Sequence, residues 1–207
     1  MQVRMVWGVW KINISKRITW IQPYYDIILN LIPINASTIL DIGAGNGIFG
    51  FILKKTRDAK IIAVEPFNYD LSFYDRVYNS SWQDWIGKDI LVHSCLIALE
   101  VIEHMDKQDA LHFLNAVKSI AKKVIISTPY VFQQQDEYDN NPLQVHRCKI
   151  TIDDFTNRKY KVYIYGVINL KLISIRFFAN SRLERLLKPF ITNIIGVYDN
   201  WILEKNI

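Results

Sequence analysis

Thr38-Ile-Leu-Asp-Ile-Gly-Ala-Gly-Asn-Gly-Ile-Phe-Gly50 decides the fold. Thr38 to Ile42 reads as a short apolar strand, and Ile48 to Thr56 has helical spacing. Gly43, Gly45 and Gly47 stand between them, with Ala44 and Asn46 interleaved. Glycine lets the chain turn sharply and lets a ligand approach the backbone closely. The free N–H groups of the following helix favour a carboxylate or phosphate. A second strand, Lys60 to Val64, ends at Glu65-Pro66. A carboxylate at that strand end accepts hydrogen bonds from both hydroxyls of a ribose. Together the two features point to a nucleoside-containing cofactor.

Outward from this centre, strand-like and helical stretches alternate. Upstream, Ser15 to Leu31 reads as an amphipathic helix with Ile18, Ile21, Tyr25, Ile28 and Leu31 near one face, stopped by Pro33. Downstream, a helical stretch is expected near Asn68 to Tyr74, a strand near Arg76 to Asn79, and a long strand from Ile90 to Leu99. Gln108 to Ala121 has helical periodicity, and Lys123 to Ser127 is a buried strand closed by Pro129. Val131 to Ile150 is polar and turn-rich, long enough for a functional loop. Lys161 to Val167 alternates as a strand, Leu183, Leu186 and Leu187 line a short helix that Pro189 ends, and Asn200 to Glu204 is expected as the last strand. Such alternation implies a parallel sheet with helices on both faces and ligands at the carboxyl ends of its strands.

The chain has 207 residues, half of them hydrophobic and 22% charged, which suits one ordinary domain with a large core. No apolar stretch approaches the ~18–20 residues of a membrane span, and the start carries no signal-peptide pattern. A cytoplasmic protein is therefore expected. The formal net charge is +5, but the basic residues are dispersed, so nucleic acid ranks behind a small molecule as partner. Cys95 and Cys148 form neither a CxxC pair nor a zinc pattern and read as free thiols.

Gly45-Asn-Gly-Ile-Phe-Gly50 also satisfies the G-x-G-x-x-G of nicotinamide dehydrogenases. In that pattern the first glycine directly follows the strand, whereas here Gly43 stands ahead of it. Ile39-Leu-Asp-Ile-Gly-Ala-Gly-Asn-Gly47 instead resembles the first motif of class I S-adenosylmethionine (SAM) dependent methyltransferases. Ala63-Val-Glu-Pro66 resembles their second motif. Ala98-Leu-Glu-Val-Ile-Glu-His-Met105 and Ile125-Ile-Ser-Thr-Pro129 resemble the fourth and fifth strands of their ubiquinone-biosynthesis-like branch. Asn141-Pro-Leu-Gln-Val-His146, followed by Thr151 to Phe155, is similar to a segment of many prokaryotic and archaeal members.

This resemblance implies an α/β Rossmann-like class I methyltransferase fold. Its sheet would have seven mostly parallel strands, an antiparallel last strand and helices on both faces. Residues 1–35 would form an N-terminal helical cap, 36–170 the SAM-binding core, and 171–207 a C-terminal helix and last strand of one domain. By the same resemblance Asp41 and the Gly43-Ala44-Gly45-Asn46-Gly47 backbone would hold the methionine end of SAM. Glu65 would hold the ribose, and Pro66 and Phe67 would flank the adenine. Ser81 and Trp82 stand where the family places its adenine reader, usually an acid, with Asp84 as the other choice. Leu99 and Glu100 would line the methionine side.

Methyl transfer from a sulfonium needs in-line alignment and exclusion of water, and positioning supplies ~7–11 kcal/mol. A hydroxyl or amine acceptor also gains ~10²–10⁴-fold from a base. Glu103, His104 and His146 are the catalytic candidates. His93 and Cys95 read as core, and His112 as solvent-facing. Trp7, Trp10, Trp20, Tyr24 and Tyr25 either pack on the sheet or close over the site. The function expected is methylation of an oxygen or nitrogen of a small-molecule acceptor, such as a lipid or glycan precursor, with no metal assigned. The alternatives are a non-catalytic SAM-fold binding module, a nicotinamide dehydrogenase, and a metal-assisted RNA ribose 2′-O-methyltransferase. For the last, Glu100, Glu103, His104 and His146 resemble the metal set of enzymes that modify small-RNA 3′ ends.

Overall fold

The computed structural model describes residues 3–6, 9–14, 17–20, 24–86, 93–137, 140–169 and 174–200. Three short strands, β1 (Val3–Val6), β2 (Val9–Ile14) and β3 (Arg17–Trp20), pair antiparallel in the order β1-β2-β3. Helix α1 (Tyr25–Leu31) follows. The helix expected over Ser15 to Leu31, and with it a helical cap over residues 1–35, is thus corrected to a small sheet and one two-turn helix. A reason lies in the sequence: position 23 is a proline, which lacks an N–H and whose ring would clash inside a helix. Upstream of it, Arg17-Ile-Thr-Trp20 is β-branched and aromatic, and pairs with Lys11–Ile14.

The central unit runs β4 (Thr38–Ile42), α2 (Ile48–Thr56), β5 (Lys60–Val64), β6 (Arg76–Tyr78), α3 (Trp82–Trp85), β7 (His93–Leu99), α4 (Lys107–Ala116) and β8 (Ala121–Pro129). Then come α5 (Ile152–Thr156), β9 (Lys161–Asn169), β10 (Ser174–Asn180), α6 (Glu184–Leu187) and β11 (Ile191–Asp199). Eight strands make one sheet in the order β10-β9-β11-β8-β7-β4-β5-β6. The pairs β5–β6, β4–β5, β4–β7 and β7–β8 are parallel. Strand β11 lies antiparallel between β8 and β9. The eighth strand, one more than expected, is β10, which forms a hairpin with β9 at the sheet edge.

Three further expectations are adjusted. The antiparallel strand is Ile191–Asp199, upstream of the expected Asn200 to Glu204, whose residues past Asn200 lie outside the described residues. Asn68 to Tyr74 is irregular, with one turn at Ser72-Phe73 and no helix, and the described part of the fourth-strand stretch begins at His93.

Strand residues alternate between two cores, as the period of two requires. Leu40, Ile42, Ile62, Val64, Leu96, Ala98, Val124 and Ile126 face α4 and α5, where Phe113, Leu114, Val117 and Phe155 are buried. Ile39, Ile61, Ala63, Cys95, Ile97 and Ile125 face α1 and α2, against Ile28, Phe49 and Leu53. Both sheet faces are therefore covered, as parallel strands demand. Cys95 and Cys148 are buried free thiols, and His93 is buried with Cys95. No helix among the described residues is long and apolar enough to cross a membrane.

The chain order reverses between β4 and β7: β5 and β6 continue on one side, β7 and β8 on the other. That switch point opens a crevice at the carboxyl ends of β4 and β7, where Gly43 follows one strand and Glu100 the other. Sheet packing elsewhere is tight. A Cβ on Gly196 of β11 would lie 2.3 Å from the ring of Phe155, which is fully buried. Gly196→Ala should therefore destabilise the fold by about 1–3 kcal/mol. Adding Phe155→Leu should recover part of that loss, as thermal unfolding of the two variants will show.

Candidate functional site

The turn after β4 uses glycine where its backbone requires it. Gly43, Gly45 and Gly47 have φ of 71°, 54° and 78°, in the left-handed region. Gly43 is doubly constrained, since a Cβ there would sit 2.5 Å from Val101 Cγ2. Its N–H donates to Val64 O at 2.8 Å, joining the turn to the end of β5. Glu65, next in the chain, accepts from Gly45 N at 2.8 Å and from Phe67 N at 2.9 Å. An ionised carboxylate has about four lone-pair positions, so two remain for a ligand. Burial raises the Glu65 pKa, and these two N–H donors oppose the rise.

Beneath the turn, Asp41 is 3% exposed and accepts from the Tyr74 hydroxyl at 2.5 Å. Tyr74 lies over Gly50, where a Cβ would meet its ring. Burial pushes the Asp41 carboxyl up to about 7; the Tyr74 hydrogen bond opposes this and the Glu65 charge adds to it.

Across the crevice, Glu100 sits in the left-handed region at φ 56°, uncommon for a residue with a side chain. Its partners explain how that conformation is held. Glu100 N donates to Ser127 O at 3.1 Å, and Ser127 Oγ donates to Glu100 Oε1 at 2.7 Å. Asn193 Nδ2 lies 3.2 Å from both carboxylate oxygens, and Tyr24 OH lies 3.2 Å from Ser127 Oγ. Strands β8 and β11 and the residue ahead of α1 thus meet on one carboxylate. Burial raises its pKa while Ser127, Tyr24 and Asn193 lower it.

One turn on, Glu103 is 2% exposed; its Oε2 accepts from Thr128 Oγ1 at 3.1 Å and its Oε1 has no partner among the described residues. Burial, then the Glu100 charge, hold this carboxyl well above the ordinary range. The Glu103 carbonyl accepts from Arg147 N at 2.8 Å and Cys148 N at 3.1 Å, which folds the long loop back onto the strand end. His146 arrives that way beside His104, with ring centroids 4.8 Å apart. Each imidazole places Nδ1 on a main-chain carbonyl, Val145 O at 3.2 Å for His104 and Gln133 O at 2.7 Å for His146. With Nδ1 as donor, Nε2 carries the lone pair. Burial lowers the His104 pKa, which keeps it neutral near pH 7. Ligating atoms of Glu103, His104 and His146 all lie within 4.8 Å of one another.

Gly43, Gly45, Glu65, Pro66, Ser81, Trp82, Glu100 and His104 line the crevice together. Asp41, Ala44, Asn46, Gly47, Phe67, Leu99, Glu103 and His146 are not among its lining residues. Ser81 is committed to capping α3, bonding Asp84 N at 3.1 Å and Asp84 Oδ2 at 2.8 Å. Trp82 is buried, its ring on Phe113 and His112. Gln83, Asp106, Asp109 and Arg147 also line the crevice. Sequence reading passed over them and over Tyr74, Thr128 and Asn193. Only Asn193 carries a signal, a polar residue within the apolar run Ile191 to Val197.

No protein-family model matches the chain, and no curated protein matches its sequence. Solved structures do match. A SAM-dependent methyltransferase from Archaeoglobus fulgidus superimposes with a TM-score of 0.60 at 14% identity, over 84% of this chain and 92% of that one. The small RNA methyltransferase HEN1 gives 0.56 at 19% identity, over 86% of this chain and 25% of its own length. The 1,6-didemethyltoxoflavin-N1-methyltransferase of Burkholderia thailandensis, solved with its substrate and S-adenosylhomocysteine, gives 0.56 at 12% identity, over 86% and 77%. The chain has the class I SAM-dependent methyltransferase fold.

Asp41 provides a pH test of this geometry. Its carboxyl has a folded-state pKa of about 7 against an ordinary 3.8, so the native state binds the proton more tightly than the unfolded chain. Stability should fall as pH rises from about 4 to about 7, by up to about 4 kcal/mol from this group. Asp41→Asn, neutral throughout, should flatten that slope and gain on the wild type at pH 8 relative to pH 5 in thermal unfolding.

Proposed function

We propose that the protein is a SAM-dependent methyltransferase acting on an oxygen or nitrogen nucleophile of a small-molecule acceptor. The observation that carries this reading is the pairing of the three-glycine turn with Glu65 on one side of the crevice and the Glu103–His104–His146 cluster at its other end. The residues fit the cofactor. Glu65 retains lone pairs for ribose hydroxyls, Gly43 and Gly45 offer backbone with no side chain in the way, and Pro66 lines the same wall. When bound, SAM supplies a methyl group already activated on sulfur. The chain's task is then to align the acceptor, exclude water and take the proton. Neutral His104 suits the proton, with His146 beside it, and Thr128 bonds the Glu103 carboxyl next in the cluster. On transfer the carbon–sulfur bond would break as the new bond to oxygen or nitrogen forms, leaving S-adenosylhomocysteine.

A second reading is favoured by one specific observation. Two imidazoles anchored through Nδ1, and a buried carboxylate with one oxygen unpartnered among the described residues, offer ligand atoms within 4.8 Å of one another, which supports a divalent cation. Oxygen and imidazole donors suit Mn²⁺ or Mg²⁺. Glu103, His104 and His146 would hold such an ion, which would lower the pKa of an acceptor hydroxyl, and the acceptor would then be the terminal ribose of an RNA.

SAM and S-adenosylhomocysteine should raise the unfolding temperature, NAD and NADP should not, and ligand at 100 times Kd should add about 2.7 kcal/mol. A shift with NAD alone would replace the cofactor. Glu65→Gln should weaken SAM binding ~10–150-fold in calorimetry, as loss of a charge-assisted hydrogen bond requires. For the second reading, Mn²⁺ titrated into metal-stripped protein should bind, and His146→Ala should abolish that binding. Absence of heat with the wild type removes the metal and leaves the small-molecule acceptor.

A further inference from the structure

Beyond the cluster, the mouth of the site continues into an apolar and basic rim. Phe132 lies 6.2 Å from the His146 ring, centroid to centroid, and Val131 before it is 55% exposed. Tyr130, which leads out of β8, donates to Glu184 Oε1 at 2.5 Å. That bond joins the loop to the helical segment Ser181–Phe190, made of α6 and the single turns on either side. On this segment Leu183, Leu186 and Phe190 follow one another at helical spacing and are 47%, 76% and 38% exposed. Arg182, Arg185 and Lys188 form the neighbouring stripe and are exposed. Glu184 is taken by Tyr130, and none of the three cations forms an ion pair among the described residues. Large aliphatic side chains held in water beside unpaired cations need an explanation.

We propose that this rim docks the protein on an anionic lipid bilayer, so that the acceptor reaches the site from the membrane surface. The second clause rests on the methyltransferase reading; the docking does not. Charge and shape select this occupant. A bilayer interface accepts leucine and phenylalanine below its headgroups and arginine and lysine among its phosphates. Phosphodiester backbone complements the cations but leaves Leu183 and Leu186 without a partner. A second copy in a two-fold contact would set three cations against three, with Glu184 already engaged.

The test is flotation of the full chain with vesicles of phosphatidylcholine alone and of phosphatidylcholine with phosphatidylglycerol. Binding is expected to the anionic vesicles only and to weaken with salt. The Leu183→Ser/Leu186→Ser variant should lose it, and Arg182→Gln, Arg185→Gln and Lys188→Gln should each cost on the order of fivefold. These side chains are exposed, so the unfolding temperature and the shift with SAM should stay those of the wild type. Failure of the wild type to bind anionic vesicles would overturn the proposal, as would equal binding by the leucine variant. Retention of a single-stranded RNA through these cations, without vesicle binding, would overturn it in favour of RNA. Absence of a SAM shift in a protein that still floats would instead overturn the methyltransferase reading and leave the docking standing.

Discussion

The Gly43–Gly47 turn is the constraint on which this structure depends. Within five residues the chain must leave a buried strand and enter a helix, with three residues at positive φ and no room for a Cβ beside Val101. The turn is held from the neighbouring strand, by Val64 O on one N–H and by the Glu65 carboxylate on another. The same two hydrogen bonds set the acid at the edge of the crevice. Formation of the turn and placement of the ribose-binding candidate are therefore one event, and neither has the required geometry without pairing of β4 with β5.

On the other side of the crevice, carboxylates are placed in surroundings that disfavour their charge. Glu100 is compensated by Ser127 and Asn193, whereas Glu103 accepts from Thr128 and keeps one oxygen without a partner among the described residues. An uncompensated buried carboxylate is costly and shifts towards its neutral form. Such groups concentrate where a protein binds or moves a proton or holds a cation. Hydrogen bonds from His146 N to Gln135 O and from Arg147 N to Glu103 O bring the second imidazole to the same place. The glycine turn with Glu65 and the Glu100–Glu103–His104 cluster thus stand on opposite sides of one switch point.

Much of this was legible in the residues because it is local. The strands read at Thr38, Lys60 and Lys123 are short apolar runs ended by glycine or proline, and their order alone implies a parallel sheet; the third begins two residues earlier, at Ala121, which helical spacing assigns to the preceding helix. What was not legible depends on pairing across the chain. Ile18, Ile21, Tyr25 and Ile28 have helical spacing, yet Arg17–Trp20 finds a strand partner six residues upstream, and Pro23 separates it from the helix. Ile191–Asp199 was passed over as a strand because its apolar run has no alternation, and it has none because β8 and β9 cover both its edges within a covered sheet. For the same reason Asn193, 93 residues from Glu100, carries no local mark of its partner. Tyr74 likewise looks like an ordinary turn aromatic until Gly50 makes room for it above Asp41.

The central claim is that the glycine turn and Glu65 bind a nucleoside whose reactive end points to Glu103, His104 and His146. A crystal structure of the protein with S-adenosylhomocysteine tests it most directly. The account predicts ribose hydroxyls on the free lone pairs of Glu65, backbone of Gly43 to Gly45 against the ligand, and its sulfur towards the histidine pair. Ligand density elsewhere on the surface, or in the crevice with the ribose away from Glu65, would contradict it.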